Sequence, residues 1–594
     1  MRIGVDTGGT FTDFVIWDGS RYYTRKIRST PHDPAAAILE GLQDLEAQEV
    51  VHGSTVATNA LLERKGARTA FLTTEGFEDL LIIGRQNREK LYDLLAPAKR
   101  QLIPSELSLG LPERILYDGS VERDLDPAAL EGLSEKLRGL GVESVAVCLL
   151  HSYANPVHEK RVAEALEGFF VSLSHEVLPE YREYERASTT VVNAYVTPLM
   201  ARYLTGLSEK LGATRLRVFQ SNAGSISSGA AECGAIHTVL SGPAGGVVGA
   251  TAAAKQAGFS RVISFDMGGT STDVSLYDGK FSYTTESNLG DFPIRIPMLD
   301  IHSVGAGGGS IAYLDRAGAL RVGPQSAGAD PGPVCYGRGE QITVTDANLL
   351  LGRIQPDKFL GGRMQLDLDR TRGFMNSFAA QLGVSIEKTA AAIVDVANSN
   401  MERAIRAVSV ERGHDPRDFA LLSFGGAGAQ HACELAERLD VSTVIVPPHA
   451  GVLSAVGMLA ADCVRDYSQS VLGKDPVLAF EELGGRAAAE FSDEGFSEVL
   501  FERLIDLRYE GQSYEITVPW QQRADFDAHH RKLYGYDHPG RKVEQVTARV
   551  KAIAILDKID LAAPSQREEF SSIYVAPAWR EREDAVGNSI LTRA

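Results

Sequence analysis

Cysteine is scarce in this 594-residue chain. Its five cysteines, Cys148, Cys233, Cys335, Cys433 and Cys463, are scattered and never form a C-x-x-C pair. That argues against a disulfide framework, a zinc ribbon and a cysteine-held cluster, and it fits a reducing compartment. A positive charge excess is missing too. Sixty Lys and Arg face 78 Asp and Glu, for a formal charge of −18. Neither non-specific nucleic-acid binding nor adsorption to anionic membranes is expected of such a chain. A nucleotide site stays open, because backbone amides and a bound cation can hold phosphates locally. Long hydrophobic runs are also lacking. The longest apolar region, residues 441–464, is interrupted by Pro447, Pro448, His449 and Gly451. It reads as buried strand, turn and helix start, so no membrane span is expected. MRIGVD opens directly as a strand with no basic-then-apolar leader, and a cytoplasmic location follows as the default expectation.

What is present is a repeat. IGVDTGGTFTDFVIWDG (residues 3–19) and ISFDMGGTSTDVSLYDG (residues 263–279) align at a fixed offset of 260 with nine identities. In each copy an acidic residue, Asp6 or Asp266, ends an apolar strand. Two glycines then let the backbone turn with little steric hindrance. The turns Gly8-Gly9-Thr10 and Gly268-Gly269-Thr270 can offer consecutive N–H donors and a hydroxyl to an anion. The leading carboxylate suits a hydrated Mg²⁺ or an oriented water. One such hairpin is ordinarily just a turn; two facing copies can clamp a triphosphate. Thr12, Asp13, Thr272 and Asp273 read as support for the turns.

Two further stretches stand out. FGGAGAQHA (residues 424–432) follows a buried strand and opens a helix. Gly425, Gly426 and Gly428 would let a ligand's base and ribose approach, with helix packing as the alternative. SGPAGGVVGA (residues 241–250) predicts a helix whose Gly245, Gly246, Gly249 and Ala250 admit a close neighbour. That suits a hinge between lobes or a tightly packed core helix.

Strands alternate with amphipathic helices from residue 50 to about 167, an α/β pattern. Long helices are predicted near 182–211 and 388–413, and Gly-rich loops with short strands over 304–337. After about residue 475 the pattern changes to a hairpin turning at 510–513, a short helix and a strand at 543–556. The tail after about Ala562 reads as loosely ordered. Three domains are expected: an α/β lobe at 1–185, a second α/β lobe at 186–475 and a small α+β domain at 476–594. The two lobes would enclose a nucleotide cleft.

The two hairpins, the small-residue helix and the late glycine turn resemble the actin, sugar-kinase and heat-shock-chaperone ATPase superfamily. Within it, the chain resembles the A-type, ATP-binding subunit of the hydantoinase/5-oxoprolinase family. The matching stretches include GVDTGGTFTDFV, VHGSTVATNALLERKGARTAFLTTEGFEDLLIIGRQNR, TVLSGPAGGVVGA, DMGGTSTDVSL, SVGAGGGSIAYLD, VGPQSAGADPGPVCYGRG and FGGAGAQHACELAERL. They cover residues 1 to roughly 470, and YGYDHPGRKVEQVTARVKA extends the resemblance to about 555. The chain departs at its end, which lacks the further β-rich sequence of many members and leaves the docking of a partner open.

The resemblance implies two actin-like ATPase lobes. It also implies ATP-dependent phosphorylation of the carbonyl oxygen of a lactam, hydantoin or cyclic imide. Amide resonance makes that carbonyl a poor electrophile, and phosphorylation removes the resonance. A ketone carboxylase subunit is an alternative. A chaperone-like, nucleotide-switched ATPase and a stand-alone kinase would use the same hairpins. Carried over by position, Asp6 and Asp266 would be catalytic and hold Mg²⁺ (or Mn²⁺). Gly8, Gly9, Thr10, Gly268, Gly269 and Thr270 would cradle the ATP phosphates, and Gly425, Gly426 and Gly428 would face the adenosine. His52, Ser54, Thr55, Thr58 and Asn59 are candidate substrate contacts, with a helix N-cap as the plain alternative for Ser54 or Thr55. HGSTVATNA and VGAGGGSIAYLD read together as a substrate pocket. Asp330, Cys335 and Asp346 lie in a strongly patterned region without a derivable role. The resemblance further implies a B-type partner subunit and a homodimer within a hetero-oligomer.

Overall fold

The fold is that of a computed structural model, which describes residues 1–30, 32–87, 92, 100–359, 361–560, 565–566 and 572–594. Local signals act where the pattern is strong. Helix Ile386–Val408 starts at Ser385, whose side chain accepts the Lys388 N–H, and buries Ile393, Ala397, Met401, Ala404, Ile405 and Val408 along one stripe. Helix Glu183–Leu211 runs through Pro198 and is buried over much of its length.

Two large mixed sheets organise the molecule. The first has 11 strands. Toward one edge lies the first hairpin, Arg2–Thr7 with Phe11–Trp17, flanked by Tyr22–Arg28 on one side and Glu49–Gly53 on the other. Arg215–Phe219 and Ser225–Ser227 continue it, then Cys463–Ser470, Val543–Ala554, Leu500–Tyr509 and Ile516–Pro519. The second sheet has seven strands. Its hairpin, Arg261–Met267 with Thr272–Asp278, lies between His302–Val304 and Ala420–Phe424. Thr443–Val446, Ser589–Arg593 and Trp579–Glu583 complete it. A separate four-stranded parallel sheet contains Thr69–Thr74 and Ser144–Cys148.

The sheets do not follow the expected boundaries. The strands at 215–227 pair into the first sheet, which therefore continues beyond residue 185. The region after 475 has its own apolar cluster, including Phe480, Phe491, Tyr509 and Val518. Its strands nevertheless extend the first sheet through Cys463–Ser470. The expected loose tail is corrected as well: residues 579–583 and 589–593 pair with each other and onto Thr443–Val446. Part of that tail, 561–564 and 567–571, lies outside the described residues. Strand pairing is indifferent to sequence distance, which is why a reading by segments missed these returns.

Between the sheets, helix Ser241–Gln256 crosses helix Leu453–Ala460. A Cβ on Gly249 would strike the Leu453 carbonyl, one on Gly457 the Gly245 carbonyl, and one on Gly245 would lie 2.9 Å from the Ser454 carbonyl. The close neighbour expected of the small-residue helix is therefore Leu453–Ala460.

Candidate nucleotide site

The two hairpins are copies in register. Asp6 lies opposite Asp13 and Thr7 opposite Thr12; Asp266 lies opposite Asp273 and Met267 opposite Thr272. The Gly8 N–H donates to the Phe11 carbonyl at 3.0 Å and the Gly268 N–H to the Ser271 carbonyl at 3.1 Å. Burial alternates identically, position for position, over 3–16 and 263–276. Each hairpin's first strand runs parallel to a neighbour, with Asp6 paired to Gly53 and Asp266 to Phe424.

The turn carbonyls face back into the protein. Ser29 donates from Oγ to the Gly8 carbonyl at 2.7 Å and from its backbone N–H to the Thr10 carbonyl at 3.0 Å. In the second copy Gly308 and Gly309 donate to the Gly268 and Gly269 carbonyls at 3.0 and 2.7 Å. Thr12 and Thr272 support these turns, Thr12 through Ser29 Oγ at 3.1 Å and Thr272 through the Ala306 carbonyl. A Cβ placed on Gly9 or Gly269 would meet no atom within 4 Å, and neither residue has a left-handed φ. Neither backbone conformation nor packing asks for glycine there. Both positions are thus open to close approach by a ligand.

Electrostatics mark the same place. Asp6 is pushed up to about 7, first by burial and then by the Asp13 charge. Asp266 is held well above the carboxylate range by burial, then by Asp273, Asp6 and Asp13. Asp13 and Asp273 are raised by burial as well. The two hairpins therefore stand close enough for their carboxylates to repel one another. Lys26 pulls Asp6, Asp13 and Asp266 back down; its Nζ is 2.6 Å from Asp13. Ser454 nearby also lowers Asp6, and Gly242, in the first turn of helix Ser241–Gln256, abuts Asp6 Oδ1. Asp13 and Asp273 are thus more than hairpin support. Lys26, Ser454 and Gly242 carried no signal in sequence, since strand register alone puts Lys26 opposite Asp13.

The glycine turn at 424–432 meets the second hairpin. Gly425 has φ of +80°, and a Cβ there would collide with Asp266 Oδ1 and the Met267 carbonyl. Gly426 is exposed with open space around it. Gly428 is buried, and a Cβ on it would lie 2.8 Å from Ser423 Oγ, so it serves packing. A 3₁₀ turn, Gly428–Gln430, precedes the helix proper, Ala432–Arg438.

Other expectations need correction. His52 is fully buried, with Nδ1 3.3 Å from the Val5 carbonyl and Nε2 2.8 Å from Tyr203 Oη. Burial lowers it to about 4, which leaves a neutral structural histidine. Ser54 is also buried, and its Oγ accepts the Val56 N–H at 3.2 Å. Thr58 Oγ1 accepts the Leu240 N–H at 3.2 Å. Of the five, Asn59 is exposed and Thr55 half-buried. Residues 307–309 buttress the second hairpin rather than line a pocket: Cβ atoms on Gly307 and Gly309 would fall on Gly269. Asp346 closes a capping box on helix Val344–Leu350 and accepts the Cys335 N–H at 2.8 Å. Cys335 is buried with its thiol pushed far up by desolvation. Asp330 is exposed, 3.5 Å from Arg338.

Two sheets presenting register-matched Asp-x-Gly-Gly-Thr hairpins to one another, crossed by a glycine-packed helix pair, define an ATPase fold with actin-like lobes. A family profile described as hydantoinase/oxoprolinase N-terminal region matches residues 2–169, and one described as hydantoinase/oxoprolinase matches 186–467. The chain belongs to the hydantoinase/oxoprolinase family. It is 37% identical to caprolactamase subunit alpha of Pseudomonas jessenii over 94% of this chain and 87% of that one. The crystal structure of the ATP-dependent caprolactamase from that organism superposes with a TM-score of 0.88 at 34% identity, covering all of both chains. The 5-oxoprolinase of Saccharomyces cerevisiae is 33% identical over 93% of this chain, which spans 49% of its length. The acetophenone carboxylase gamma subunit of Aromatoleum aromaticum is 37% identical over 79% of this chain and 69% of its own.

Proposed function

We propose that this chain binds ATP between its two hairpins and transfers the γ-phosphoryl group to the carbonyl oxygen of a lactam, hydantoin or cyclic imide. The observation that carries this is the pair Gly9 and Gly269, glycines the fold does not need, on hairpins whose carboxylates face each other. Gly8, Gly9 and Thr10 would cradle phosphates from one side and Gly268, Gly269 and Thr270 from the other. Gly425 and Gly426 would border the adenosine.

The carboxylate set suits Mg²⁺ or Mn²⁺ in a particular way. Among the described residues, no group of three His, Cys, Asp or Glu forms a metal cage. Asp6 and Asp266 would therefore hold a cation that keeps most of its waters and phosphate oxygens, the habit of Mg²⁺. When bound, that cation neutralises charge on the moving phosphoryl group. Asp6 and Asp266, crowded by Asp13 and Asp273, favour any positive charge placed between them. Asp266 would orient the accepting oxygen.

In the transfer, a bond forms between the carbonyl oxygen and γ-phosphorus while the bridging β–γ P–O bond breaks and ADP leaves. The nitrogen gives up its proton, leaving an O-phosphorylated imidate. Water then adds at carbon, the C–N bond opens as the nitrogen takes up the proton, and the resulting acyl phosphate is hydrolysed by a second water to carboxylate and phosphate. Closure of the lobes would keep bulk water from the intermediate. The later steps belong to a B-type partner subunit. Its support is that the yeast 5-oxoprolinase is about twice as long as the stretch this chain covers. Thr55, Thr58 and Asn59 would border the carbonyl substrate. We further propose a homodimer within a hetero-oligomer, in the cytoplasm.

Likeness to the acetophenone carboxylase gamma subunit supports a second reading, in which a ketone oxygen is phosphorylated and bicarbonate supplies the carbon. One experiment separates the two. ATP hydrolysis with Mg²⁺ is measured with and without the neighbouring-gene subunit, across 5-oxoproline, hydantoins, small lactams, and ketones with bicarbonate. Turnover rising with a cyclic amide supports hydrolysis, and turnover rising only with ketone plus bicarbonate supports carboxylation. ATP turnover stimulated by a protein alone would refute both.

A further inference from the structure

A five-residue stretch, Ala450–Ser454, lies beside both hairpins. The Ala450 carbonyl accepts the Gly425 N–H at 2.9 Å, on the turn pressed against Asp266. The next carbonyl, that of Gly451, accepts from Lys26 Nζ at 3.2 Å. Ser454 lies near enough to Asp6 to favour its charged form, and the helix that begins there packs against the first hairpin's strand, the Ala455 carbonyl abutting Gly4. Just before the stretch, His449 meets Tyr22 edge-on with ring centroids 4.6 Å apart, and Tyr22 shares a strand with Lys26.

Lys26 is the side chain that fastens this stretch to the first hairpin. It sits on Tyr22–Arg28, directly across from Asp13, and pairs with it at 2.6 Å. An ammonium carries three donors; one goes to a carboxylate and one to a backbone carbonyl of the distant Ala450–Ser454 stretch. Charge assistance makes both bonds stronger than neutral ones. The second hairpin differs at this point. The residue across from Asp273 is Ser303, which donates to Asp273 and is far shorter than a lysine.

We propose that Lys26 is a positioning residue for phosphoryl transfer. By bridging Asp13 and the Gly451 carbonyl, it holds Ala450–Ser454 so that the Gly425 turn and Asp6 keep one fixed relation. Nucleotide seated against Gly425 then finds Asp6 already in place. The role rests on ATP binding between the hairpins, as proposed above.

Lys26→Met alone would leave Asp13 buried without its cation, a destabilising change in itself. The deciding variant is therefore Lys26→Met/Asp13→Asn, which removes the tie and keeps the site neutral. Lys26→Arg serves as the conservative control. Hydrogen exchange of nucleotide-free protein, followed in peptides spanning 420–430 and 447–456, reads the tie without turnover. The double variant should exchange there about tenfold faster, with strand Val543–Ala554 unchanged. Its kcat for ATP should fall about 10–10²-fold, while the ATP Kd moves less than about threefold. Lys26→Arg should retain most of the kcat. Parental exchange in the double variant, or parental kcat, would overturn the proposal and leave Lys26 as a charge balancer. A parent protein that binds no ATP would overturn the nucleotide site itself. The exchange data would still report whether Lys26 holds the stretch.

Discussion

The two hairpins share register, turn residues and burial, yet their surroundings differ. Across from Asp13 stands Lys26, which reaches the Gly451 carbonyl as well; across from Asp273 stands Ser303, which donates to Asp273. Asp6 is lowered by Lys26 and by Ser454 nearby. Asp266 sits among three carboxylates whose charges all raise it, with Lys26 as the one opposing charge. The two units thus share the shape of the phosphate turn and differ in the third strand. A site built this way has one half tied to the Ala450–Ser454 stretch and one half crowded by more carboxylates. Positive charge delivered with the nucleotide relieves the second half more.

The comparison can be broken most severely at the carboxylates. Asp6→Ala and Asp266→Ala should each lower ATP turnover about 10²–10³-fold with the fold retained. Steady-state kinetics and circular dichroism check this; normal turnover in both would remove the metal and phosphate role.

A second test uses stability without nucleotide. Asp6 has a folded pKa of about 7, above its unfolded value of 3.8. The protonated folded form is favoured, so the stability it contributes is full below pH 3.8 and is lost as pH rises through about 7. Asp6→Asn should therefore stabilise the nucleotide-free protein by roughly 2–4 kcal/mol at about pH 8, and by little at about pH 4. Asp266→Asn should gain in the same direction, because burial and the neighbouring carboxylates raise it too. Urea midpoints at the two pH values decide the matter, and equal gains at both would sink it.

Smaller effects should separate the glycines. Gly425→Ala carries a positive φ and a collision with Asp266, and should cost about 1–3 kcal/mol along with turnover. Gly426→Ala and Gly9→Ala meet open space. They should leave the thermal midpoint within a few degrees and raise the ATP Kd. Unchanged nucleotide affinity in both would argue against ligand approach there. Smallest of all, Ser303→Ala should lower kcat by only about two- to threefold. A loss matching that of the Lys26 double variant would erase the distinction between the two halves.

Much of the site was legible because it is local. The repeated D-x-G-G-T-x-T-D stretches and the FGGAGA turn announce themselves, since a strand end, a glycine turn and a carboxylate lie within a few residues of one another. What sequence did not disclose depends on register across strands or on burial. Lys26 lies thirteen positions from Asp13, and only pairing makes them neighbours. Ser454 and Ala450 act from a distant segment, one of them through a backbone carbonyl that any residue could supply. His52 fitted a polar run that suggested a ligand surface, but Tyr203 from helix Glu183–Leu211 seals it. The glycines at 307–309 resembled part of a substrate pocket, yet they serve as packing under the second hairpin. The return of strands 463–470 and 543–554 to the first sheet was hidden for the same reason: long-range strand pairing leaves no mark on composition.

The sheet order also has a bearing on how the molecule comes into being. The first sheet joins residues 2–28 to residues 543–554, and the second joins 261–278 to 589–593. Neither sheet can be finished before these late strands have left the ribosome. During synthesis the early hairpins must wait with open strand edges, and pairings of such sequence separation form slowly. Deleting residues 579–593 would uncover the edge of Thr443–Val446, an invitation to intermolecular strand addition. Yield of soluble protein, more than activity, is where such a truncation would first be felt.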